Sequence, residues 1–401
     1  MRSEGGRNRR TTRTWGLLVL LAMGSFGVMG GALVAPGLPS LIEPFGVSEE
    51  AVGLVLGAYT LSAAISLPLI GLLLDRLGRR RVGITCLVID GTAGILCAYA
   101  PTFTALLILR LIQGVGIAGL IPVAMTIIRD WFDDRQARLK TLGILSGTIS
   151  ASAMVIPLVG GLLAARHWSY PYYGYGFSLV LAVLFYLFIG ETAPTVTPAS
   201  GGLGRLVGRH FRSLAGAFTM ARVRETFLHA IVLYFLLYTL VAFMPLYLTR
   251  AHHLNEVVAG AALSVQSLVA ALVSTQAALL DRVLASRLKL ITGFGSIALS
   301  LVLLPLWPRA ALVAVSLVLF GLGMGVVQPA IYHDATAAPP EHMAGSVVSL
   351  FNAMKYIGMT SAPLILGLLG LGTGVLFFIS SLLAASWILV FSLMSPGGAR
   401  T

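Results

Sequence analysis

Three ionisable side chains, Asp90, Arg110 and Lys355, lie deep inside long apolar runs of this 401-residue chain. A charge held away from water is costly unless it is paired, so such residues mark substrate or ion pathways by default. Asp90 precedes Pro101 by 11 residues and Arg110 follows it by 9. With Pro101 at the turn between two antiparallel helices, a rise of about 1.5 Å per residue puts the two charges within about 3 Å of the same depth. A carboxylate–guanidinium pair there has two readings. It is a static structural pair, or Asp90 is a proton-carrying acid whose ionisation is set by burial against the arginine. Lys355 stands beside Asn352 and Tyr356, too deep in its run for easy snorkelling. It would bind an anionic substrate or exchange its own proton. Tyr59, Gln113, Gln266, Gln276 and Gln328 either line the same pathway or hydrogen-bond between helices.

The elements that must position these residues are membrane-spanning helices. Charged residues are 10% of the chain and apolar ones 57%, with a mean hydropathy of +0.91. A soluble protein carries roughly 25% charged residues, so the composition excludes a water-soluble fold. A net charge of +12 would suit nucleic acid, but the charges fall in short stretches between apolar runs, which excludes that reading. A helical span needs about 20 largely apolar residues. Twelve such runs occur, at 15–37, 52–74, 82–99, 102–128, 141–164, 171–189, 226–249, 257–280, 288–305, 310–332, 343–369 and 372–395. The first follows a basic tail, 1–14, and has no small-residue cleavage site, so it reads as a retained span rather than a signal peptide. The polar segment 190–225 separates bundles at 15–189 and 226–395, and 396–401 form a short tail.

Lysine and arginine set the orientation. Twenty-two of the 27 fall on one side of the membrane when the loops are alternated, and three, Arg166, Arg250 and Arg309, on the other. Both termini and the central segment are therefore expected in the cytoplasm, with the arginines against anionic headgroups. Cys86 and Cys97 lie about 16 Å apart along one helix, beyond disulfide reach. No spacing suggests a metal or cofactor site. Trp168, Tyr170, Tyr172, Tyr173 and Tyr175 read as an interfacial aromatic belt.

The two halves repeat. Gly71-Leu72-Leu73-Leu74-Asp75-Arg76 corresponds to Ala277-Ala278-Leu279-Leu280-Asp281-Arg282, and Pro157-Leu158-Val159-Gly160-Gly161 to Pro363-Leu364-Ile365-Leu366-Gly367, both at an offset of 206. Gly114-Val115-Gly116 with Pro122 returns as Gly321-Leu322-Gly323 with Pro329, at 207. Parallel six-span repeats are a transporter architecture.

On these motifs the chain resembles a major facilitator superfamily transporter. The stretch Gly71 to Arg80 fills the superfamily signature between spans 2 and 3. Arg110-Leu111-Ile112-Gln113-Gly114-Val115-Gly116 resembles the span 4 signature of proton-coupled members. Pro157, Gly160 and Gly161 resemble the end of the span 5 antiporter signature, with Ser152 and Ile156 where that signature carries glycines. The resemblance implies an all-α membrane protein of twelve transmembrane helices in two pseudo-symmetric six-helix bundles, similar to the 12-span drug:proton antiporter branch. It implies a gating latch of Gly71, Asp75, Arg76, Gly78, Arg79, Arg80 and Asp130, in which Asp75 faces the start of span 11 and Asp130 pairs with Arg79. The second copy has Ala277 and Leu284 in place of Gly71 and Gly78, so its latch should be weaker. Gly114, Gly116, Pro157, Gly160 and Gly161 would be packing residues. Span 1 has no acid, although several drug:proton antiporters carry one there.

The expected function is secondary active transport by alternating access, most readily proton-coupled efflux of small amphipathic or hydrophobic compounds from a bacterial-type cell membrane. The alternative is a carrier of small organic anions using Arg110 and Lys355. The expected partners are a small-molecule substrate, protons and membrane lipids, for a monomer. An intramembrane enzyme would need a clustered nucleophile and base, which the spans lack.

Overall fold

The computed structural model describes residues 2–192, 216, 218–306, 310–337 and 344–394. Twelve long helices run through them: α1 Arg2–Ala32, α2 Leu54–Leu77, α3 Arg79–Cys97, α4 Phe103–Trp131, α5 Arg135–Ala164, α6 Gly176–Phe188, α7 Ala221–His252, α8 Glu256–Ser274, α9 Ser286–Leu306, α10 Ala310–Ala337, α11 Ala344–Leu368 and α12 Thr373–Met394. Among the described residues, ten segments are long and apolar enough to cross a membrane. The two long helices outside that set are α3, which opens on Arg79, Arg80 and Arg81 and contains Asp90, and α11, which contains Lys355.

Helix is the only open-ended element that satisfies every backbone group in lipid, and neighbouring helices let it tolerate proline. Pro68, Pro122, Pro157, Pro245, Pro305, Pro329 and Pro363 all lie inside helices. Thr102, Asp134 and Asn255 start α4, α5 and α8 by accepting from the backbone N–H three residues on, at 3.2, 2.7 and 3.2 Å. Gly78 joins α2 to α3 at φ +89°, where a side chain would be strained and would meet the Glu191 carboxylate.

Several boundaries differ from the sequence reading. Helix α5 starts at Arg135, six residues before the expected 141, α7 starts at Ala221, five before 226, and α10 runs to Ala337, five past 332. The backbone of α1 continues helical through most of the basic tail. The eighth span ends at Ser274, six residues early. There the polar run Ser274-Thr275-Gln276 tightens into a turn, with Gln276 N–H bonded to Val273 O at 2.9 Å, and a short helix, Ala277–Val283, follows. The sixth span is broken into Tyr170–Tyr173 and α6.

Within each half the helices pack on one another, α3 against α4 and α6, and α10 against α8 and α9. Two crossings join the halves, α2 with α11 and α5 with α8. They are tightest at the end of the bundle where α2 and α8 begin, here called the distal end. A Cβ on Gly161 would strike the Glu256 carbonyl, and one on Gly260 the Pro157 carbonyl. Gly367 lies likewise against the Glu50 carbonyl, at 2.6 Å from such a Cβ. Glycine allows this backbone contact, as small residues do throughout membrane helix packing. Glu49 and Arg250 add an ion pair across the same end, at 2.6 Å. At the opposite end, where α2 finishes and α5 starts, Gly71, Gly143 and Gly147 have open space within 4 Å. The halves thus close on each other at the distal end and part toward the other.

Candidate functional site

Asp90 on α3 and Arg110 on α4 are both fully buried. The sequence predicts a direct or water-bridged pair. The structure instead places a side chain between them. Arg110 Nη1 donates to Gln113 Oε1 at 2.7 Å, and Gln113 Nε2 donates to Asp90 Oδ1 at 2.9 Å. Gln113 lies one turn beyond Arg110 and reaches both because its amide offers an acceptor to the cation and a donor to the carboxylate. Ser178 of α6 donates to Asp90 Oδ2 at 2.6 Å.

Arg110 is also tied to the backbone of the same half. Its Nε donates to Val55 O at 3.1 Å and its Nη2 to Gly30 O at 2.5 Å. The Gly30 carbonyl is available because α1 ends there: Val34 N–H turns to Gly31 O at 3.2 Å. Tyr175 donates to Gly30 O at 3.1 Å and also meets Arg110 Nη1, at 3.4 Å. Tyr172 and Tyr175 therefore belong to the core, both fully buried, whereas Tyr170 and Tyr173 are exposed. This corrects the belt reading for two of its members; the break before α6 turns them inward.

The signature glycines set these distances. A Cβ on Gly116 would lie 2.6 Å from Asp90 N and Cys86 O, so glycine brings α3 against α4. Gly114 does the same toward α2, at the Tyr59 carbonyl, and Gly160 sits on the Leu33 carbonyl. Tyr59 carries the network to the other half. The Arg110 guanidinium stacks over its ring at 4.5 Å, and its hydroxyl bonds that of Tyr238 on α7. At the next residue of α2, Thr360 of α11 donates to Thr60 Oγ1 at 2.9 Å.

Lys355 lies apart from Asp90, in a second polar group formed by α7, α10 and α11. Its ammonium donates to the Tyr332 hydroxyl and to Asn352 Oδ1, the latter at 3.4 Å. It stands 4.8 Å from the ring centre of Tyr234 and 4.9 Å from that of Tyr332. Gln328 holds the Tyr234 hydroxyl at 3.1 Å. Lys355, Asn352 and Tyr356 are half-buried. No carboxylate pairs with Lys355 among the described residues. Gln266 is buried on α8, where its backbone carbonyl lies against Gly321 of α10, and Gln276 is exposed. Neither joins the two groups.

At the end where the halves part, Arg79 Nε binds Asp130 Oδ2 at 3.1 Å and Arg79 Nη1 binds Leu74 O at 3.0 Å. Glu191 accepts from the Arg79 and Arg80 backbone N–H groups at 2.8 and 3.2 Å, filling the start of α3. Thr192 donates to Asp130 at 2.8 Å. Arg80 stacks on Tyr186 at 4.4 Å, and Arg76 is exposed. The Asp75 side chain and the start of span 11, and hence their expected contact, lie outside the described residues. Sequence reasoning missed Glu191 and Thr192; an acid opening an otherwise basic linker was the available signal. It also missed Tyr234, Tyr238 and Tyr332, since a span tyrosine reads the same whether it faces lipid or a neighbour. Among the described residues no cluster of His, Cys, Asp or Glu is arranged to hold a metal.

The Major Facilitator Superfamily model matches residues 17–363. The chain belongs to this superfamily. Its relatives include the bacillibactin exporter of Bacillus subtilis (strain 168), 26% identical over 352 residues, covering 84% of this chain and 85% of that protein. The multidrug resistance protein MdtL of Klebsiella pneumoniae (strain 342) is 33% identical over 184 residues, covering 44% of this chain and 47% of that protein. The same fold is seen in the nucleoside transporter NupG, with a TM-score of 0.78 at 15% identity over 95% of this chain and 99% of that one. It is seen too in an inward-facing bacterial homolog of the human lysosomal transporter Spinster, with a TM-score of 0.75 at 17% identity, over 96% and 95% of the two chains. This superfamily member is thus a multi-pass membrane transporter of small molecules and not an enzyme.

Proposed function

We propose that the protein exports small amphipathic compounds from a bacterial-type cell by proton-coupled alternating access, with both termini in the cytoplasm. The observation that carries this reading is the asymmetry of the two inter-bundle crossings. Backbone contacts at Gly161, Gly260 and Gly367 seal the distal end, while Gly71, Gly143 and Gly147 face open space at the other. A pathway sealed at one end is one half of an alternating cycle. The basic residues on the open side make it the cytoplasmic side. The names of the exporter and multidrug relatives support outward transport of compounds of this class.

In this reading Asp90 carries the proton. It is fully buried and bonded to Gln113 and Ser178 rather than directly to Arg110. Loading it with a proton removes the charge that Gln113 relays to the guanidinium, and Arg110 passes that change to Tyr59 at the boundary between the bundles. The Arg79, Asp130, Glu191 and Thr192 group acts as the cytoplasmic latch. The test is transport of labelled lipophilic compounds in proteoliposomes with an imposed pH gradient. Asp90→Asn should abolish gradient-driven transport while substrate exchange persists. Undiminished gradient-driven transport in Asp90→Asn would overturn the assignment of the proton.

The alternative, a carrier of organic anions, is favoured by one observation: Lys355 is half-buried and has no carboxylate partner among the described residues. Arg110 does not add to it. That side chain is fully buried, and its nitrogens already face Gln113, Gly30, Val55 and Tyr175.

A further inference from the structure

We propose that Lys355, with Tyr234, Tyr332, Asn352 and Gln328, forms an anion-selecting subsite, and that this transporter prefers substrates pairing an acidic group with an aromatic or similarly flat apolar body. The inference rests on the transport reading above and names the substrate class for it.

The chemistry follows from what surrounds the ammonium. It has three donors and no acceptor. Two point at neutral oxygens, the Tyr332 hydroxyl and Asn352 Oδ1, and two tyrosine ring faces lie within 5 Å. Ring faces and neutral oxygens stabilise a cation without cancelling its charge. No carboxylate among the described residues neutralises the ammonium, so an incoming carboxylate or phenolate gains a charge-assisted hydrogen bond there. The tyrosines that hold the lysine also select the rest of the ligand. Tyr234 is fixed at its hydroxyl by Gln328, and Tyr332 is packed edge-on against Phe351 at 4.8 Å. Both present preorganised apolar walls beside the charge. Tyr356, one residue beyond Lys355, packs against the core of the N-terminal half, so the subsite adjoins the boundary between the halves. A lipophilic cation would meet an unneutralised ammonium, which is an element of rejection as well as a loss of attraction.

The experiment uses the purified full chain in lipid nanodiscs and three near-isosteric probes: 1-naphthoate, 1-naphthamide and 1-naphthylmethylammonium. Equilibrium binding of 1-naphthoate should be about ten-fold tighter than that of the amide, as one added charge-assisted contact implies, with the ammonium weakest. Lys355→Gln should bring naphthoate and amide together, and Lys355→Arg should keep them apart. Asn352→Asp is a second variant that barely changes volume. It puts a carboxylate beside the ammonium and should abolish the naphthoate preference while improving binding of the cation. Equal binding of the three probes to the unaltered protein, absence of naphthoate binding, or a preference unmoved by both Lys355→Gln and Asn352→Asp would each overturn the proposal. Transport under a pH gradient is measured on the same preparations. Anion-selective binding without gradient-driven transport would defeat the proton-coupled reading and leave the subsite standing. Transport without anion selectivity would do the reverse.

Discussion

Tyr59 of α2 and Tyr238 of α7 meet hydroxyl to hydroxyl across the two halves, and Gly31 of α1 makes the room for them, since a Cβ there would strike both oxygens. Both tyrosines are buried, and the Tyr59 ring lies beneath the Arg110 guanidinium. This contact gives the Asp90 network a polar route to the C-terminal half through Arg110 and Tyr59. Tyr59→Phe keeps the ring and removes the bond. It should lower pH-gradient-driven transport several-fold while leaving substrate exchange within about two-fold, because stacking on Arg110 survives. Equal loss of both activities, measured in proteoliposomes, would reduce the pair to a packing contact.

Gln113 joins two buried charges that do not touch directly. Gln113→Leu removes its bonds to Asp90 and to Arg110 together and leaves their charges less satisfied. Hydrogen bonds to charged groups are worth about 1.5–3 kcal/mol each, so the variant should unfold at a clearly lower temperature than the parent. Thermal melting in detergent measures it. Asp90→Asn combined with Gln113→Leu should lose less than the two single losses together, since the two residues share one interaction.

The distal seal should depend on glycine far more than on charge. Glu49 and Arg250 are 35% and 60% exposed, and such pairs contribute at most about 1 kcal/mol. Arg250→Gln should therefore shift the balance between inward and outward states by no more than about five-fold. Gly260→Val puts a branched side chain against the Pro157 carbonyl and should prevent closure. Cysteine accessibility at the distal end should rise in Gly260→Val and change little in Arg250→Gln. The opposite ranking would assign the seal to the ion pair.

Asp281 gives a pH signature outside the spans. The Lys289 ammonium beside it holds its carboxyl below the usual carboxylate range. A depressed native value means that the contribution to stability is complete above the unfolded value, about 3.9, and is lost as pH falls through the lower native one. The melting temperature of the parent should thus drop more steeply below about pH 4 than that of Asp281→Asn. Parallel curves would show that the contact is absent in solution.

Composition and periodicity were sufficient for the membrane class, the helical spans and the internal repeat, because lipid leaves a chain so few ways to satisfy its backbone. The equal depth of Asp90 and Arg110 was also legible, since helical rise is fixed and Pro101 marks the turn. What joins them was not. Gln113 became the bridge through its rotation about α4, which depends on how closely Gly114 and Gly116 let α2 and α3 approach. The same limit hid Tyr175, which a break before α6 turns into the core, and Tyr238, whose partner lies 179 residues away. Span 8 was overrun because hydropathy averages across Ser274-Thr275-Gln276, whereas a helix ends at individual hydrogen bonds. Sequence placed each charge along its helix; only tertiary packing decided which helix faces meet, and so left Arg110 enclosed and Lys355 half-open between tyrosines.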